Sequence, residues 1–192
     1  MGYYDDDKNV EEYIEMAEGY DGREFIPVLR KYLENGSKVL ELGMGPGKDL
    51  ELLSEHFQVT GSDNSQVFIN KYRKDHPDAD LVLLDVVMMD IDRKFDCVYS
   101  NKVLHHLTKE QLEKSIINQA GVLNRGGILF HTFWYGDKEE EHSGLRFIYY
   151  TEDKFSELVG IEFEIVESVK YAEFEEEDSV YFVLRKKREV KS

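Results

Sequence analysis

The segment VLELGMGPGKDL, residues 39–50, constrains the fold of this chain more than any other. Strand-favouring residues run into Gly43, Gly45 and Gly47, and an amphipathic stretch, DLELLSEHF, follows at once. This order predicts a strand, a tight turn and a helix. Glycine suits a backbone that must adopt positive φ or let a ligand come close, and the start of a helix offers free N–H groups. The segment therefore predicts a site for a nucleotide-like ligand.

Strand and helix patterns alternate from Lys38 onward. The predicted strands are 38–43, 58–63, 78–85, 95–101, 128–134, 161–168 and 179–187. Helix caps are predicted at Asn64 or Ser65, at Thr108 with Gln111, and at Thr151. Regular alternation predicts an α/β fold, with a parallel sheet between helices. Only an acidic loop separates the last two strands, which is too short for a crossover helix, so they must be antiparallel.

The residues before this alternation read as helical. Val10, Tyr13, Ile14 and Ala17 share one helix face, and a second helix carries Phe25, Leu29 and Leu33. We expect a helical cap over 1–36 and an α/β core over 37–192, which together make one domain of 192 residues.

Composition excludes several classes of protein. A net charge of −16 argues against a general affinity for nucleic acid, and no apolar run is long enough to span a membrane. The N-terminus lacks the apolar region of a secretory signal. The single cysteine, Cys97, cannot form an internal disulfide, which favours a reducing compartment. We therefore expect a cytoplasmic protein, and the sequence leaves its oligomeric state open.

The glycine turn can be tested against known nucleotide turns. A dinucleotide turn needs Gly-x-Gly-x-x-Gly, and Lys48 stands where the third glycine would fall. This disfavours a nicotinamide dehydrogenase. No Gly-Lys-Ser/Thr follows either, so the phosphate loop of nucleotide triphosphatases is absent. What remains is Glu41-x-Gly43-x-Gly45-x-Gly47, with Asp63 at the end of the second strand.

Further motifs follow this loop in order: Asp85 at the end of strand three, then FDCVYSNKVLHHL and LNRGGILFH. From about Tyr20 to its end the chain resembles the class I (Rossmann-like) S-adenosylmethionine-dependent methyltransferases, of the type that acts on small molecules. The resemblance implies a three-layer fold with a seven-stranded sheet in the order 3-2-1-4-5-7-6, strand seven being antiparallel.

The resemblance also implies that the cofactor is S-adenosylmethionine. It assigns the loop from Glu41 to Gly47 to the methionine and ribose parts, Asp63 to the two ribose hydroxyls, and Asp85 to the adenine amino group. A carboxylate can accept from both hydroxyls, and an acidic pocket suits a positive sulfonium. The expected cofactor-binding residues are Tyr20, Glu41, Gly43, Met44, Gly45, Gly47, Asp63, Asn64, Asp85, Val86 and Asn101.

In methyl transfer by direct displacement, the protein mainly aligns the reactants and excludes water. A metal is not required, and a general base is needed only if the acceptor arrives protonated. The candidates for that base are His105, His106, His131 and His142, although all four also suit a structural role. Arg146 is a candidate contact for the acceptor or a surface ion pair, and Tyr20 covers the cofactor or packs a helix.

The expected activity is methyl transfer to a small-molecule acceptor, whose identity the sequence leaves open. A catalytically silent module that binds S-adenosylmethionine is the alternative, because no obligatory catalytic residue marks the enzyme. We expect no partner among nucleic acids or membranes.

Overall fold

The computed structural model describes residues 6–16, 18–142, 144–160 and 162–187; Ala17, expected on the first helix, lies outside them. The α-helices are α1 (Asp7–Met16), α2 (Ile26–Leu29), α3 (Lys48–Ser54), α4 (Gln66–Asp75), α5 (Lys109–Val122) and α6 (Glu152–Val159). The strands are β1 (Lys38–Leu42), β2 (Gln58–Asp63), β3 (Leu81–Leu83), β4 (Phe95–Ser100), β5 (Leu123–Trp134), β6 (Glu139–His142), β7 (Leu145–Ile148), β8 (Phe163–Tyr171) and β9 (Ser179–Lys186). Short 3₁₀ helices cover Arg23–Phe25 and Leu104–His106.

Seven strands form the main sheet, in the order β3-β2-β1-β4-β5-β9-β8. Strands β3, β2, β1, β4 and β5 are parallel to one another, and β9 is antiparallel to both β5 and β8. Counted within this sheet, β8 and β9 are strands six and seven. The order 3-2-1-4-5-7-6 with strand seven reversed is therefore confirmed.

Helices cover both faces of the sheet, because successive side chains of a strand point to opposite sides. Leu40 of β1 belongs to an apolar cluster with Leu112 of α5 and Phe155 of α6. Its neighbour Val39 belongs to a second cluster with Phe25 and Leu53, on the opposite face. The chain therefore forms the expected three layers.

The helix caps follow the sequence closely. Ser65, rather than Asn64, caps α4, since its hydroxyl accepts from the Phe68 N–H. Thr108 and Gln111 form a reciprocal capping box at the start of α5. Both helices thus begin at a capping residue that the sequence predicts.

Two of the predicted elements end earlier than expected. The second helix of the cap ends at Leu29 and does not reach Leu33. Strand three ends at Leu83, because the Asp85 carboxylate accepts from the N–H groups of Val87 and Met88 and begins a turn. The acidic residues 138–141 are typical of a solvated loop or face; residues 139–142 are mostly exposed and pair with 145–148 as a two-stranded hairpin that was not predicted.

Candidate functional site

A cavity of about 280 Å³ opens at the carboxyl ends of β1, β2 and β4. This is the edge of an open parallel sheet where ligands bind. Of the residues predicted to form the site, those that line the cavity are Gly43, Gly45, Asp63, Asn64, Val86 and His106. The cavity is also lined by Tyr13, Ser65, Phe68, Lys102, Val103, Leu107 and Leu145.

The glycine turn adopts a backbone that other residues rarely take. Gly43 has a φ of 65°, and a Cβ there would lie 2.7 Å from the Val103 side chain. Gly47 has a φ of 86° and is the N-cap of α3, and a Cβ there would overlap the Tyr72 ring. Two of the three glycines are thus required by conformation and by space.

Asp63 holds this turn against the end of β2. Its Oδ2 accepts from the Gly45 N–H at 2.9 Å, and its Oδ1 accepts from the Ser65 N–H at 2.8 Å. The side chain is buried, which raises its pKa, while these N–H groups oppose that rise. Carboxylate oxygens accept more than one hydrogen bond, so Asp63 can still receive a ligand hydroxyl from the cavity.

Two more buried carboxyl groups lie beside it. Glu41 is 3% exposed, and its Oε2 has no hydrogen-bond partner among the described residues. Burial, together with the charges of Asp49 and Asp63, holds the pKa of Glu41 well above its ordinary value. Three carboxyl groups therefore converge beneath the glycine turn, and the electrostatic potential there favours a cation.

Met44 and Asn101 do not line the cavity. Met44 packs into an apolar cluster with Leu50 and Ile69, behind the turn. Asn101 donates from its Nδ2 to Asp49 at 3.0 Å and accepts from the Thr132 hydroxyl at 2.7 Å. Both side chains support the turn and its neighbouring strands.

Tyr13, rather than Tyr20, is the aromatic residue of the cap that reaches the cavity. The Tyr13 ring lies 3.5 Å from the position of a Cβ on Gly45 and packs edge-on against Phe68, with 5.8 Å between centroids. Burial raises the pKa of Tyr13 to about 12, and the charge of Asp63 adds to the rise. Tyr20 is 45% exposed and contacts Phe174 instead. Helical spacing identified Tyr13 only as a residue of the packed helix face.

Val86 lines the cavity, but Asp85 does not. Asp85 is exposed, and its Oδ1 accepts from the N–H of Val87 at 2.7 Å. This turn places Val86 at the wall. The assignment of Asp85 to a ligand amino group stays a prediction.

The histidine pair after β4 is fixed by directed hydrogen bonds. His106 Nδ1 lies 2.7 Å from the carbonyl oxygen of Arg146, which can only accept, so Nδ1 carries the proton. The neutral His106 Nε2 then accepts from His105 Nε2–H across 3.2 Å. His105 Nδ1 is buried without a partner among the described residues, and burial lowers the pKa of both rings. The lone pair on His106 Nε2 therefore already accepts a hydrogen bond.

The Arg146 side chain does not line the cavity. Its Nε lies 3.2 Å from Glu139 Oε1, in the hairpin of β6 and β7, and 44% of the side chain is exposed. It borders a separate cavity beside the start of α5 and helix α6. The ion-pair interpretation matches this geometry, and a contact with an acceptor stays a prediction.

Lys102 lines the cavity and was missed. It has a φ of 53°, and its Nζ lies 3.3 Å from the centroid of the Trp134 indole and donates to the Ser179 hydroxyl at 2.6 Å. Burial lowers its pKa to about 7, although the carboxylates of Glu173 and Asp178 oppose this shift. Its only sequence signal was its place in SNKVLHHL, between Asn101 and the histidines.

The described part of the chain shows neither a metal site nor a helix that could span a membrane. In the described part of the chain, no group of three His, Cys, Asp or Glu side chains could hold a metal ion. None of the helices in that part has the length and apolar character needed to cross a membrane.

Comparison with known proteins identifies the region that carries the cavity. Residues 39–127 match the family model described as a methyltransferase domain. This region is a methyltransferase domain. The match begins at β1, runs through the glycine turn and Asp63, and ends in β5. The resemblance that the sequence motifs indicated is thereby confirmed.

Solved structures show the same fold over nearly the whole chain. A TehB-like methyltransferase from Corynebacterium glutamicum superposes with a TM-score of 0.75 at 20% identity, covering 95% of this chain and 100% of that one. The 1,6-didemethyltoxoflavin-N1-methyltransferase of Burkholderia thailandensis gives a TM-score of 0.72 at 20% identity, with 84% and 76% covered. The methyltransferase domain thus has the class I fold.

One curated relative matches in sequence. Trans-aconitate 2-methyltransferase of Variovorax paradoxus is 32% identical over 101 residues, which is 50% of this chain. The match spans 38% of the length of that relative.

Proposed function

We propose that this protein is an S-adenosylmethionine-dependent methyltransferase that transfers a methyl group by direct displacement to a small-molecule acceptor. The observation that carries the proposal is that the glycine turn and Asp63 line one cavity, with the carboxyl groups of Glu41 and Asp49 buried beneath the turn. The methyltransferase domain at residues 39–127 contains all of them.

The residues present fit this cofactor better than a phosphate-bearing one. A phosphate would meet the Asp63 carboxylate, with Glu41 and Asp49 buried close by, whereas the ammonium and sulfonium of S-adenosylmethionine are positive. The orphaned Glu41 Oε2 is a buried polar atom that a cationic ligand would help to satisfy. Burial, together with the charges of Asp49 and Asp63, raises the pKa of Glu41, and a bound cation would oppose this rise.

Individual side chains can then be given roles. Asp63 would hold the ribose hydroxyls, and the backbone at Gly43 and Gly45 would lie against the ligand without a Cβ between them. Tyr13 and Phe68 supply aromatic walls for the adenosine part. When bound, S-adenosylmethionine supplies an electrophilic methyl group, and the protein aligns the acceptor with it and keeps water out.

A small-molecule acceptor is supported by the relatives, whose names identify trans-aconitate and didemethyltoxoflavin as their substrates. The net charge of −16 supports the view that nucleic acid is not the acceptor. The reducing cytoplasm remains the proposed location, because the one cysteine, Cys97, is free and fully buried.

Isothermal titration with S-adenosylmethionine and S-adenosylhomocysteine tests the cofactor. Asp63→Asn should weaken both by about 1–3 kcal/mol, the scale for a hydrogen bond to a charged group. Asp92→Asn is the matched control, since Asp92 is exposed and outside the cavity. A wild-type protein that binds neither compound would refute the proposal.

Release of S-adenosylhomocysteine tests turnover. The probes are benzylamine, catechol, 2-mercaptoethanol and trans-aconitate, which offer an amine, a hydroxyl, a thiol and a carboxylate. Turnover with any of them supports the enzyme. Tight cofactor binding without turnover across a wider acceptor library would favour the silent binding module.

A further inference from the structure

Four titratable side chains line the cavity within the described residues: Tyr13, Asp63, Lys102 and His106. Two of them are unsuited to take a proton from an acceptor. Tyr13 keeps its proton, because its pKa is raised to about 12. Asp63 accepts two backbone N–H groups and is assigned to the ribose. Lys102 and His106 are left.

His106 has no free lone pair in this arrangement. Its Nδ1 donates to the Arg146 carbonyl oxygen at 2.7 Å, and its Nε2 accepts from His105. For His106 to act as a base, the His105 ring would have to turn away, yet that ring is 2% exposed and stacks on Phe147. Elimination therefore leaves Lys102.

The surroundings of Lys102 suit a lysine that gains and loses a proton. Its backbone N–H donates to the Thr132 hydroxyl at 2.8 Å, which anchors the residue in its positive-φ conformation. The Nζ rests over the Trp134 ring, a favourable place for an ammonium. Only 14% of the side chain is exposed, so water competes little for the group.

We propose that Lys102 is the general base of the methyl transfer, and that the acceptor is an amine or a hydroxyl that arrives protonated. This assignment rests on the proposed methyltransferase function. The neutral Nζ uses its lone pair to form an N–H bond with the proton of the acceptor. The acceptor keeps the electron pair of the broken bond and uses it to bond the methyl carbon, while the pair of the C–S bond stays on sulfur.

The protonated Nζ then returns to a site built for a cation. There it lies over Trp134, donates to Ser179, and stands 3.8 Å from the Glu173 carboxylate. The side chain of Lys102 has several rotatable bonds, which allow Nζ to turn between this site and the cavity. Glu173 is 20% exposed and gives the proton a route to solvent.

The surroundings of Lys102 also restrict the chemical class of the acceptor. The carboxylates of Glu24, Glu173 and Asp178 act on Lys102. An acceptor carboxylate would be repelled by these three groups, and being already ionised it would need no base. An amine or a hydroxyl is not repelled by these carboxylates, and it carries a proton that a base can remove.

A titration by NMR tests the base without any turnover. The Lys102 Cε resonance, assigned by its loss in Lys102→Arg, should titrate with a midpoint near 7 in the cofactor-free protein. The groups that face Nζ are Glu24, Glu173, Asp178, Tyr171 and His105. A midpoint at the ordinary value of a lysine, near 10.4, would overturn the proposal.

Two variants separate a base from a packing residue. Lys102→Met should keep cofactor binding within about twofold and lose at least 100-fold in kcat with benzylamine or catechol, on the scale of general-base catalysis. Lys102→Arg keeps a charge over Trp134 but cannot accept a proton, so it should lose a similar factor. Rescue by arginine would show a structural role and overturn the proposal. Lys74→Met, on the exposed end of α4, is the control.

Failure of this proposal can be told from failure of the function beneath it. A wild-type protein that binds no S-adenosylmethionine refutes the function, whatever the NMR midpoint. Turnover confined to trans-aconitate, and unchanged in Lys102→Met, leaves the methyltransferase intact but refutes Lys102 as its base.

Discussion

The Tyr99 hydroxyl donates to Asp49 Oδ2 at 2.6 Å, deep beneath the glycine turn. The same carboxylate accepts from the Gly22 N–H at 2.6 Å and from Asn101 Nδ2 at 3.0 Å. Asp49 thereby joins the N-terminal cap, helix α3 and strand β4 at one point. The carboxylate therefore ties the cap and β4 to the start of α3, directly after the glycine turn.

Removing this carboxylate should destabilise the protein. In Asp49→Ala three buried donors lose their acceptor, and we expect a loss of at least about 1–3 kcal/mol in the free energy of unfolding. Tyr99→Phe removes only one donor and should cost about 1 kcal/mol. Urea unfolding measures both. Equal stabilities for Asp49→Ala and wild type would contradict the assigned role.

The glycine turn offers a matched pair of substitutions. Gly47→Ala meets both a positive φ of 86° and the Tyr72 ring, so it should lower the thermal midpoint and weaken S-adenosylmethionine binding at least tenfold. Gly121→Ala lies within α5 and meets nothing within 4 Å, so it should stabilise the helix by about 0.5–1 kcal/mol. Calorimetry and titration of both variants check this. Similar effects at the two positions would show that the turn geometry does not matter.

The sequence predicts what depends on local pattern. Most of the strands, their alternation with helices, the antiparallel final pair and the place of Asp63 follow from short-range pattern, whereas the order of the strands in the sheet was implied by the family resemblance. The hairpin at 139–148 was missed because three glutamates in a row carry no strand signal, and its pairing is decided by contacts with the histidine segment. Contacts between segments that are distant in the sequence cannot be predicted from local pattern.

The N-terminal helical cap also shows what local pattern cannot predict. Periodicity places Tyr13 on a packed helix face but does not say which part of the core that face meets. Lys102 is a second instance, since a lysine is expected at the surface and only the fold reveals Trp134 beneath its Nζ. Residues whose role depends on how distant segments meet cannot be read from spacing alone.

Substitutions of Tyr13 and Tyr20 should differ in their effect on cofactor binding. Tyr13→Ala removes a ring that packs over Gly45 and Phe68, and it should weaken S-adenosylhomocysteine binding by about tenfold. Tyr20→Ala removes an exposed ring that contacts Phe174, and its dissociation constant should stay within about twofold of wild type. Isothermal titration of both variants decides the matter. The reverse order would restore Tyr20 as the residue that covers the cofactor.

His131 is held neutral by a buried chain of hydrogen bonds. Its Nε2 lies 2.9 Å from the amide oxygen of Gln119, which accepts, so Nε2 carries the proton and Nδ1 accepts from the Ser100 hydroxyl at 2.8 Å. Gln119 donates onward to Ser115, whose hydroxyl donates to the Val86 carbonyl oxygen at 2.6 Å. The chain ends at the wall of the cavity, so the neutral imidazole also supports the site.

This neutral histidine should make stability fall in acid. Burial lowers the pKa of His131 from 6.5 to about 3. Between those values the unfolded chain binds a proton that the folded chain does not, so stability is lost as the pH falls below 6.5, by at most about 1.4 kcal/mol per pH unit. Urea unfolding at pH 7.5 and 5.5 should therefore show a smaller loss in His131→Gln than in wild type. His142→Gln, whose histidine side chain is 69% exposed, should keep the wild-type loss, and equal losses in all three proteins would rule out His131 as the source.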